Sequence, residues 1–470
     1  MTIASFLFFL ALFLGVGLAS AFRARKTRDD YYLASQSVKP AFAGLSAVAT
    51  NNSGYMFIGV IGYTYAVGLA SIWLMFGWIA GDFLASLLVH RRLRVATERS
   101  GEASFSAVIA RWTGRDMPIW RALAAVLTIL FLGSYAAAQI AAGGKALQGV
   151  LGWDRTTGAW IVAAMVLSYS FAGGIRASIW TDVAQSAVML AAMAILVTAG
   201  VMGLGGLSAA VEAWQAIPGF FDLTPPDMVA PGIAGLILFI IGWVFAGLSV
   251  IGQPHIMIRF MALDSARNMN SARAYYYSFF IIFYGLATIA GMLARLHLPE
   301  LQNMDAELAL PVMAIKLLPP VLVGVILAGI FAATMSTADS LVLSCSAAFT
   351  HDLLPGRIEH PLILKLTTAG VTALALAIAL GGNSSVFDLV ILSWSTLAVA
   401  FGPLLLLLSL RRPVGQTRAI AMMAVGIAVA LLWRAAGWHD MVYEGLPGIL
   451  AGLLAGLAFR KRTSFVIVST

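Results

Sequence analysis

Long apolar stretches alternate with short polar segments along nearly the whole chain. A helix needs about 20 mostly apolar residues to cross a bilayer, and roughly thirteen stretches approach or exceed that length. We number them spans 1 to 13; they cover residues 2–22, 38–64, 66–89, 119–147, 158–173, 180–203, 232–256, 274–296, 319–350, 361–381, 386–410, 417–434 and 445–459. The pattern predicts an all-α polytopic membrane protein.

Composition agrees with a membrane location. Hydrophobic residues make up 60% of the 470 positions and charged residues only 11%. A soluble domain carries about 25% charged residues, so this chain has too little polar surface to cover soluble domains of its length. The single cysteine, Cys345, excludes an internal disulfide and a cysteine-based metal site.

The basic residues fall mostly on one side of the predicted bundle. The side expected to face outward holds only five of the 29 Lys and Arg residues: Lys145, Arg155, Arg295, Lys316 and Arg434. The opposite side holds the others, including Lys26, Arg357 and the run 460–462. The positive-inside rule then places the N-terminus outside and the C-terminus in the cytoplasm of a bacterial-type inner membrane. It also accounts for the net charge of +8 without a nucleic-acid partner.

Two spans contain residues that interrupt a helix near mid-depth. Span 2 carries Asn51, Asn52, Ser53 and Gly54, which are poor helix formers, and span 7 carries Pro254, which lacks an amide donor. Unwound backbone survives in a membrane only where it lines a cavity or is buried in protein. Paired interrupted helices indicate the binding site of a secondary transporter, whereas the alternative is two ordinary kinks.

The spacing of the two breaks suggests an internal repeat. They lie five spans apart, and because five is odd the second set of five spans is inserted upside down. We therefore expect one transmembrane transporter domain over residues 1–470. Residues 38–203 would form repeat 1 and residues 232–410 repeat 2, with residues 1–37 and 411–470 peripheral.

Span 9 presents hydroxyl groups on one face. Ala333, Ser336, Thr337 and Ser340 are spaced i, i+3, i+4 and i+7, and Asp339 places a carboxylate in the same segment. Hydroxyl oxygens together with freed carbonyls would form an oxygen cage for sodium, a hard cation. The alternative is that these hydroxyls bond back onto their own helix. The presence of Asp339 favours the interpretation as a functional site, because burying a carboxylate at bilayer depth costs free energy.

Three further polar residues keep alternative interpretations. Asp182 would be either functional or an N-terminal charge of span 6 in favourable contact with the helix dipole. Asp82 is expected to pair with Arg91 or Arg92 in a structural role, and His255 either relays protons or packs.

Enzyme motifs are not apparent in the sequence. No nucleotide-binding loop, metal-ligand spacing or catalytic carboxylate pair is visible, so we expect no catalytic residues, no enzyme activity and no organic cofactor. Without a nucleotide site, the energy for transport would come from an ion gradient.

Several motifs resemble those of the sodium:solute symporter family. The stretch 333–340 followed by 350–353 is similar to the signature of that family. Residues 252–256, 259–262, 180–182 and 401–403 also look like its markers, most of all those of the sodium/proline symporter branch.

The resemblance implies a leucine-transporter-type fold, with five-plus-five inverted repeats, broken spans 2 and 7, and alternating access. It also implies a sodium site formed by the carbonyls of Ala49, Asn52 and Ala333 and the hydroxyls of Ser336 and Thr337. In members with a second sodium, the matching positions here would be Asp182, Asp339 and Ser340, with Asp182 near the route of ion release.

The resemblance also places a substrate site and shows where this chain departs from the proline branch. Asn51 stands where that branch has an aspartate, and Ala246 and Val250 stand where it has a tryptophan and a tyrosine. The loss of two rings predicts a larger pocket. Candidate contacts, any of which could instead be core packing, are Asn51, Ser53, Gly54, Tyr55, Tyr135, Gln139, Ala246, Ser249, Val250, Pro254, Ser393 and Trp394.

These expectations combine into a function. The sequence predicts a sodium-driven importer of a small organic solute, an amino acid or related carboxylate that is proline-like or bulkier. One alternative is a transporter-like sensor that signals through a separate partner. Another is a proton-coupled carrier of the same fold.

Overall fold

The regular structure of the protein is helical in the part that the structure describes. A computed structural model describes residues 1–23, 25, 27–226, 228–303, 306–354, 358, 360–381 and 386–458. Within these ranges the helices are α1 (Thr2–Ala19), α2 (Arg28–Leu33), α3 (Pro40–Asn51), α4 (Ile61–Val67), α5 (Ile72–Ser100), α6 (Phe105–Ala110), α7 (Pro118–Leu151), α8 (Arg155–Gly173), α9 (Ile175–Gly203), α10 (Leu207–Gln215), α11 (Gly232–Leu248), α12 (Pro254–Met261), α13 (Met269–His297), α14 (Ala309–Leu317), α15 (Pro320–Ala347), α16 (Pro361–Gly381), α17 (Val386–Ser409), α18 (Gln416–Ala435) and α19 (Gly445–Ala458).

Every predicted span coincides with helical residues. In the described ranges eleven helices are long and apolar enough to cross a membrane, and the shorter α19 corresponds to span 13. The count of thirteen spans stays a prediction. Lys26, Arg357 and the basic run at 460–462, which the sequence assigned to the arginine-rich side, lie outside the described residues.

Several predicted helix limits differ from those of the structure, and two of the differences bear on the site. Helix α5 continues beyond residue 89 to Ser100, because Leu93, Ala96 and Thr97 are buried along one face of the added turns. Helix α9 begins at Ile175 rather than at residue 180. The loop that precedes it therefore contributes a further turn of helix, which carries Asp182 away from the helix end.

The predicted break in span 2 is confirmed. Asn52 leaves the helical region with φ −82° and ψ 66°, and the helix resumes through a π-helical turn before α4. The amide of Ser53 donates to the carbonyl of Asn51 (3.0 Å), and the amide of Gly54 donates to Oε1 of Gln139 (2.9 Å). Because these amides turn away, the carbonyls of Ala49 and Thr50 lose their usual i+4 donors.

The predicted break in span 7 is also confirmed. After α11 the chain forms one 3-10 turn, Ser249–Gly252, and then Gln253 is extended with φ −100° and ψ 97°. Pro254 is the first residue of α12, where a missing amide costs no hydrogen bond. Gly252 is required by close packing, since a Cβ there would lie 2.5 Å from the Cα of Ala398.

The two broken helices are joined where their segments reach the arginine-rich face. The amide of Val38 donates to the carbonyl of Ala262 (3.2 Å), and the amide of Asp264 donates to the carbonyl of Val38 (2.9 Å), which forms a parallel bridge between residues 38 and 263. Nε of Arg94 on α5 donates to the carbonyl of Leu263 (2.5 Å). Helices α3, α5 and α12 are thereby tied together at this end.

Candidate functional site

Hydroxyls of α15 meet the carbonyls that the break in span 2 sets free. Oγ of Ser336 lies 3.1 Å from the carbonyl oxygen of Ala49 and 3.1 Å from that of Ala333. Oγ1 of Thr337 lies 2.9 Å from the carbonyl oxygen of Thr50. All five residues are completely buried. We call them the hydroxyl–carbonyl cluster; their oxygens form the kind of donor set that a dehydrated sodium ion needs.

This cluster differs in one member from the set that the resemblance implied. Ala49, Ala333 and Ser336 are brought together as expected, and Thr337 joins them through Thr50, which was not predicted. The hydroxyls of Ser336 and Thr337 donate to Ala49, Ala333 and Thr50, and neither makes a hydrogen bond with Asn52. Asn52 is fully buried, and neither polar atom of its side chain has a hydrogen-bond partner among the described residues.

A buried arginine lies beside the cluster. Nη2 of Arg259 on α12 is 3.2 Å from Oδ2 of Asp182 on α9, and both side chains are fully buried. The same nitrogen donates to Oγ of Ser340 and, at 2.6 Å, to Oγ of Ser178. We call Ser46, Ser178, Asp182, Arg259, Asp339 and Ser340 the arginine network. Thr50 connects it to the hydroxyl–carbonyl cluster, because Oγ1 of Thr50 lies 3.4 Å from both Asp182 and Ser340.

Asp182 is bound through side chains of the arginine network rather than through the end of its helix. Asp182 stands two turns inside α9, so the interpretation as an N-terminal dipole charge is wrong. Its Oδ2 also accepts from Oγ of Ser46 at 2.6 Å. From the sequence, Arg259 was noted only as the first residue of the motif 259–262 and was given no role of its own. An arginine within an apolar segment was the signal that could have found it.

Asp339 is the second carboxylate of the network. Its Oδ1 accepts from Oγ of Ser340 at 2.9 Å, while its Oδ2 is buried without a hydrogen-bond partner among the described residues. The positions suggested for a second ion, Asp182, Asp339 and Ser340, are therefore adjacent. In this conformation the guanidinium of Arg259 occupies the space between Asp182 and Ser340.

Asp82 does not pair with an arginine, so the predicted contact with Arg91 or Arg92 is wrong. Its Oδ2 accepts from the hydroxyl of Tyr276 (2.7 Å) and from Nδ2 of Asn51 (3.3 Å), and its Oδ1 accepts from the hydroxyl of Tyr277 (2.7 Å). Asp82 is fully buried. Asp82 and Arg91 are nine residues apart on α5, which is about two and a half turns, or about 13 Å, and places the two side chains on opposite faces of the helix.

The predicted substrate residues surround the two breaks. On α7, Gln139 accepts from the amide of Gly54, and the hydroxyl of Tyr135 lies 3.1 Å from Oγ of Ser53. On α17, Nε1 of Trp394 donates to the carbonyl of Ala246 at 2.9 Å.

The remaining candidates contribute unequally. Oγ of Ser249 lies 3.0 Å from the hydroxyl of Tyr443, a residue that the sequence did not suggest. Oγ of Ser393 donates to the carbonyl of Leu389 on its own helix, as the core-packing alternative expects. Val250 is completely buried.

A cluster of aromatic rings lies beside the break in span 7. The indole of Trp78 on α5 lies 5.4 Å from that of Trp394, 5.8 Å from the ring of Tyr55 and 5.9 Å from that of Trp243, measured between centroids. One of these rings, that of Trp394, lies next to Ala246, and the predicted enlargement of the pocket stays a prediction.

Several buried polar atoms around the breaks have no hydrogen-bond partner among the described residues. They include Nε2 of Gln139, Oε1 of Gln253 and both ring nitrogens of His255. Buried polar groups are nearly always paired, so such a concentration of unpaired donors and acceptors needs an explanation. A polar solute bound between the breaks would satisfy them.

A cavity of about 590 Å³ adjoins this region on the side away from the arginine-rich face. Trp243 and Tyr443 line it and also touch the site, Trp243 through Trp78 and Tyr443 through Ser249. Arg434 and Glu444 line it as well and form an ion pair at 2.9 Å. The cavity is thus separated from the helix breaks by the side chains of Trp243 and Tyr443.

Two interrupted helices that face a scaffold helix with freed carbonyls and hydroxyls define a secondary transporter. The chain belongs to the sodium:solute symporter family, whose model matches residues 31–426. It is therefore a multi-pass membrane protein that couples solute transport to sodium.

Curated relatives cover nearly the whole chain. The sodium/proline symporter of Salmonella typhimurium is 31% identical over 93% of this chain and 89% of its own. The high-affinity proline transporter of Bacillus subtilis is 29% identical over 93% of both chains.

Solved structures agree on the fold. A sodium-coupled sialic acid symporter in a substrate-bound, outward-open state aligns with a TM-score of 0.81, 20% identity and coverage of 97% of this chain and 96% of its own. A nucleobase-cation-symport-1 family transporter aligns with a TM-score of 0.58 and 15% identity, covering 91% of this chain and 93% of its own. The predicted inverted-repeat fold is confirmed at this level.

Proposed function

We propose that the protein imports a small organic solute with a carboxylate group, of the amino-acid class, together with sodium. The observation that carries this proposal is the hydroxyl–carbonyl cluster, in which the freed carbonyls of Ala49 and Thr50 face the hydroxyls of Ser336 and Thr337. The similarity to proline transporters supports the amino-acid class.

Sodium would bind at the seam between α3 and α15. Each hydroxyl now donates to a carbonyl, and on ion binding it would rotate to present a lone pair to the cation. The ion would then hold the two helices together through oxygens from both sides. Asn52 would enter the shell by a small rotation of its peptide, and Asp182, Asp339 and Ser340 would take a second or departing ion if Arg259 moved away.

The solute would bind between the two breaks. Nε2 of Gln139 offers a donor, Oε1 of Gln253 an acceptor, and the N-terminus of α12 a partial positive charge for the carboxylate. The rings of Trp78 and Trp394 would pack against the apolar part of the solute. These groups fit a solute that carries both hydrogen-bonding ends and an apolar body.

The arrangement in the membrane follows from the same proposal. Residues 38–203 and 232–410 would form the two repeats, with residues 1–37 and 411–470 peripheral. The N-terminus would face outward from a bacterial-type inner membrane, and the cavity beside Tyr443 would open to the outside. Transport would require no catalytic residue and no organic cofactor.

A thermal-shift screen followed by uptake tests the proposal. Purified protein is heated with amino acids, sugars and carboxylates, in sodium or in choline. We expect one amino-acid-like solute to raise the melting temperature only in sodium, since a ligand stabilises by mass action. Stabilisation that ignores sodium would contradict the coupling.

Variants in liposomes then test the site. Ser336→Ala and Thr337→Ala should each weaken the sodium dependence of uptake at least tenfold. The matched control is Thr128→Ala, because Thr128 is equally buried but its hydroxyl bonds only its own helix, to Ala124 at 2.8 Å. Unchanged sodium dependence in both cluster variants would show that the assignment is wrong.

A further inference from the structure

A groove at the arginine-rich face lies apart from the transport site. It has a volume of about 500 Å³ and runs between α5 and the end of α17. Arg91, Arg92 and Arg99 line it from α5, and Arg411 lines it from the residues just after α17. Four guanidinium groups therefore face one small space.

These arginines are not neutralised within the described part of the protein. The side chains of Arg91, Arg99 and Arg411 make no hydrogen bond or ion pair with any residue that the structure describes, and the side chain of Arg92 donates only to the carbonyl of Leu88 on its own helix (2.5 Å). Guanidinium groups collected without a counter-charge repel one another. An anion in the groove would relieve that repulsion.

A hydroxyl in the wall of the groove gives independent evidence for a ligand. Ser409 is completely buried and lines the groove, yet its Oγ has no hydrogen-bond partner among the described residues. A buried hydroxyl without a partner costs free energy. A ligand oxygen in the groove would accept its hydrogen bond.

The rest of the lining is apolar and leads into the membrane. Leu87, Leu408 and Trp112 line the groove beside the arginines. One turn further along α5, away from the arginines, Leu84 is 51% exposed. A ligand that extends along this path must therefore combine an anionic end with an apolar one.

We propose that this groove binds the phosphodiester headgroup of an anionic glycerophospholipid from the surrounding membrane. Arginine suits a phosphate because its planar fork donates two parallel hydrogen bonds to two oxygens. Arg91, Arg99 and Arg411 hold the phosphate, Ser409 donates to one of its oxygens, and an acyl chain lies along Leu87 and the outer face of α5. Basic pockets at the ends of membrane helices bind such headgroups.

Lipid binding is measured on the purified full-length protein in neutral detergent. Phosphatidylglycerol, phosphatidylcholine and inorganic phosphate are added separately, and the melting temperature and the lipid retained in native mass spectra are recorded. We expect phosphatidylglycerol to raise the melting temperature and to remain bound, and the other two to do neither. Equal effects of phosphatidylglycerol and phosphatidylcholine would overturn the proposal. Stabilisation by phosphate to the same extent would do so too, in favour of a free-anion site.

Two variants and one control locate the site. Each arginine near a membrane surface is worth about fivefold in affinity for anionic lipid, so Arg91→Gln with Arg99→Gln should weaken phosphatidylglycerol binding about 25-fold. Arg411→Gln tests the opposite wall alone, which keeps the proposal testable if the double variant does not fold. The control is Arg267→Gln, because Arg267 is exposed and does not line the groove. Unchanged binding in Arg411→Gln and in a folded double variant would refute the assignment.

Discussion

Removing the positive charge at Arg259 should destabilise the protein far more than its single ion pair suggests. The guanidinium donates to the carbonyl of His255 (2.7 Å) and to Oγ of Ser46 (3.2 Å), in addition to Ser178, Asp182 and Ser340. Glutamine offers two donors on one nitrogen and cannot replace this set. Arg259→Gln leaves the buried carboxylate of Asp182 without a counter-charge, which costs about 3–5 kcal/mol.

A double-mutant cycle measures the interaction between Arg259 and Asp182 directly. Asp182→Asn removes the charge that Arg259 compensates, so the double variant should lose less stability than the two single losses added together. We expect a coupling free energy of about 2 kcal/mol or more, because the groups are in direct contact. The loss of about 3–5 kcal/mol in Arg259→Gln would lower the melting temperature by roughly 3–5 °C for a chain of this length, and the coupling would appear as about 2 °C, by per-residue values for soluble proteins.

The control for this cycle is Arg155→Gln, since Arg155 is exposed and hydrogen-bonds Gln148 at 2.7 Å. It should change the melting temperature by less than about 1 °C, because exposed polar contacts contribute little. Strictly additive losses for Arg259→Gln and Asp182→Asn would refute the reasoning, because they would mean that the two side chains do not stabilise each other.

Three further changes have definite expectations. Asn51→Asp should destabilise the protein, because its new carboxylate would lie about 3 Å from that of Asp82 (Asn51 Nδ2 to Asp82 Oδ2 is 3.3 Å). Adding Asp82→Asn should restore most of the lost melting temperature, and no recovery in the double variant would contradict this explanation. Ser393→Ala should leave solute affinity in the thermal-shift assay unchanged, whereas Trp394→Phe, which loses the bond to Ala246, should weaken it several-fold; equal effects would count against the indole contact. Burial raises the pKa of Asp30, but hydrogen bonds from Arg176 and from the backbone amide of Arg25 outweigh it, so the pKa lies below its usual value. The stability that this lowered pKa gives is present above about pH 4 and is lost as the pH falls through the lowered pKa. Asp30→Asn should therefore flatten the acid side of the plot of melting temperature against pH.

The sequence predicted the helix breaks well because the residues that cause them act locally. Asn52 and Pro254 interrupt their helices for reasons that require no knowledge of neighbours. The hydroxyl-bearing face of span 9 was also predicted, since helical spacing alone places Ser336 and Thr337 on the same side. Thr50 was missed because its carbonyl is freed only when Gln139, far away in sequence, captures the amide of Gly54.

Long-range contacts also explain why the partners of Asp82 and the role of Tyr443 were not predicted from the sequence. Asp82 was paired with nearby arginines because sequence distance was the only guide, whereas its partners Tyr276 and Tyr277 come from α13. Tyr443 reaches Ser249 from the segment before α19, and nothing in its local sequence marks it. Such contacts depend on how helices are arranged, which periodicity does not determine.

The bridge between residues 38 and 263 has a consequence for the timing of transport. Because it joins α3 to α12, and Arg94 joins α5 to the same point, a displacement of one of these segments at this end would draw the other two with it. If they moved away from α15, the seam to part would be the one between Ala49–Thr50 and Ser336–Thr337. Under the proposed function, an ion bound in that seam would hold these segments against α15, so that its departure and the opening of the passage would be a single event.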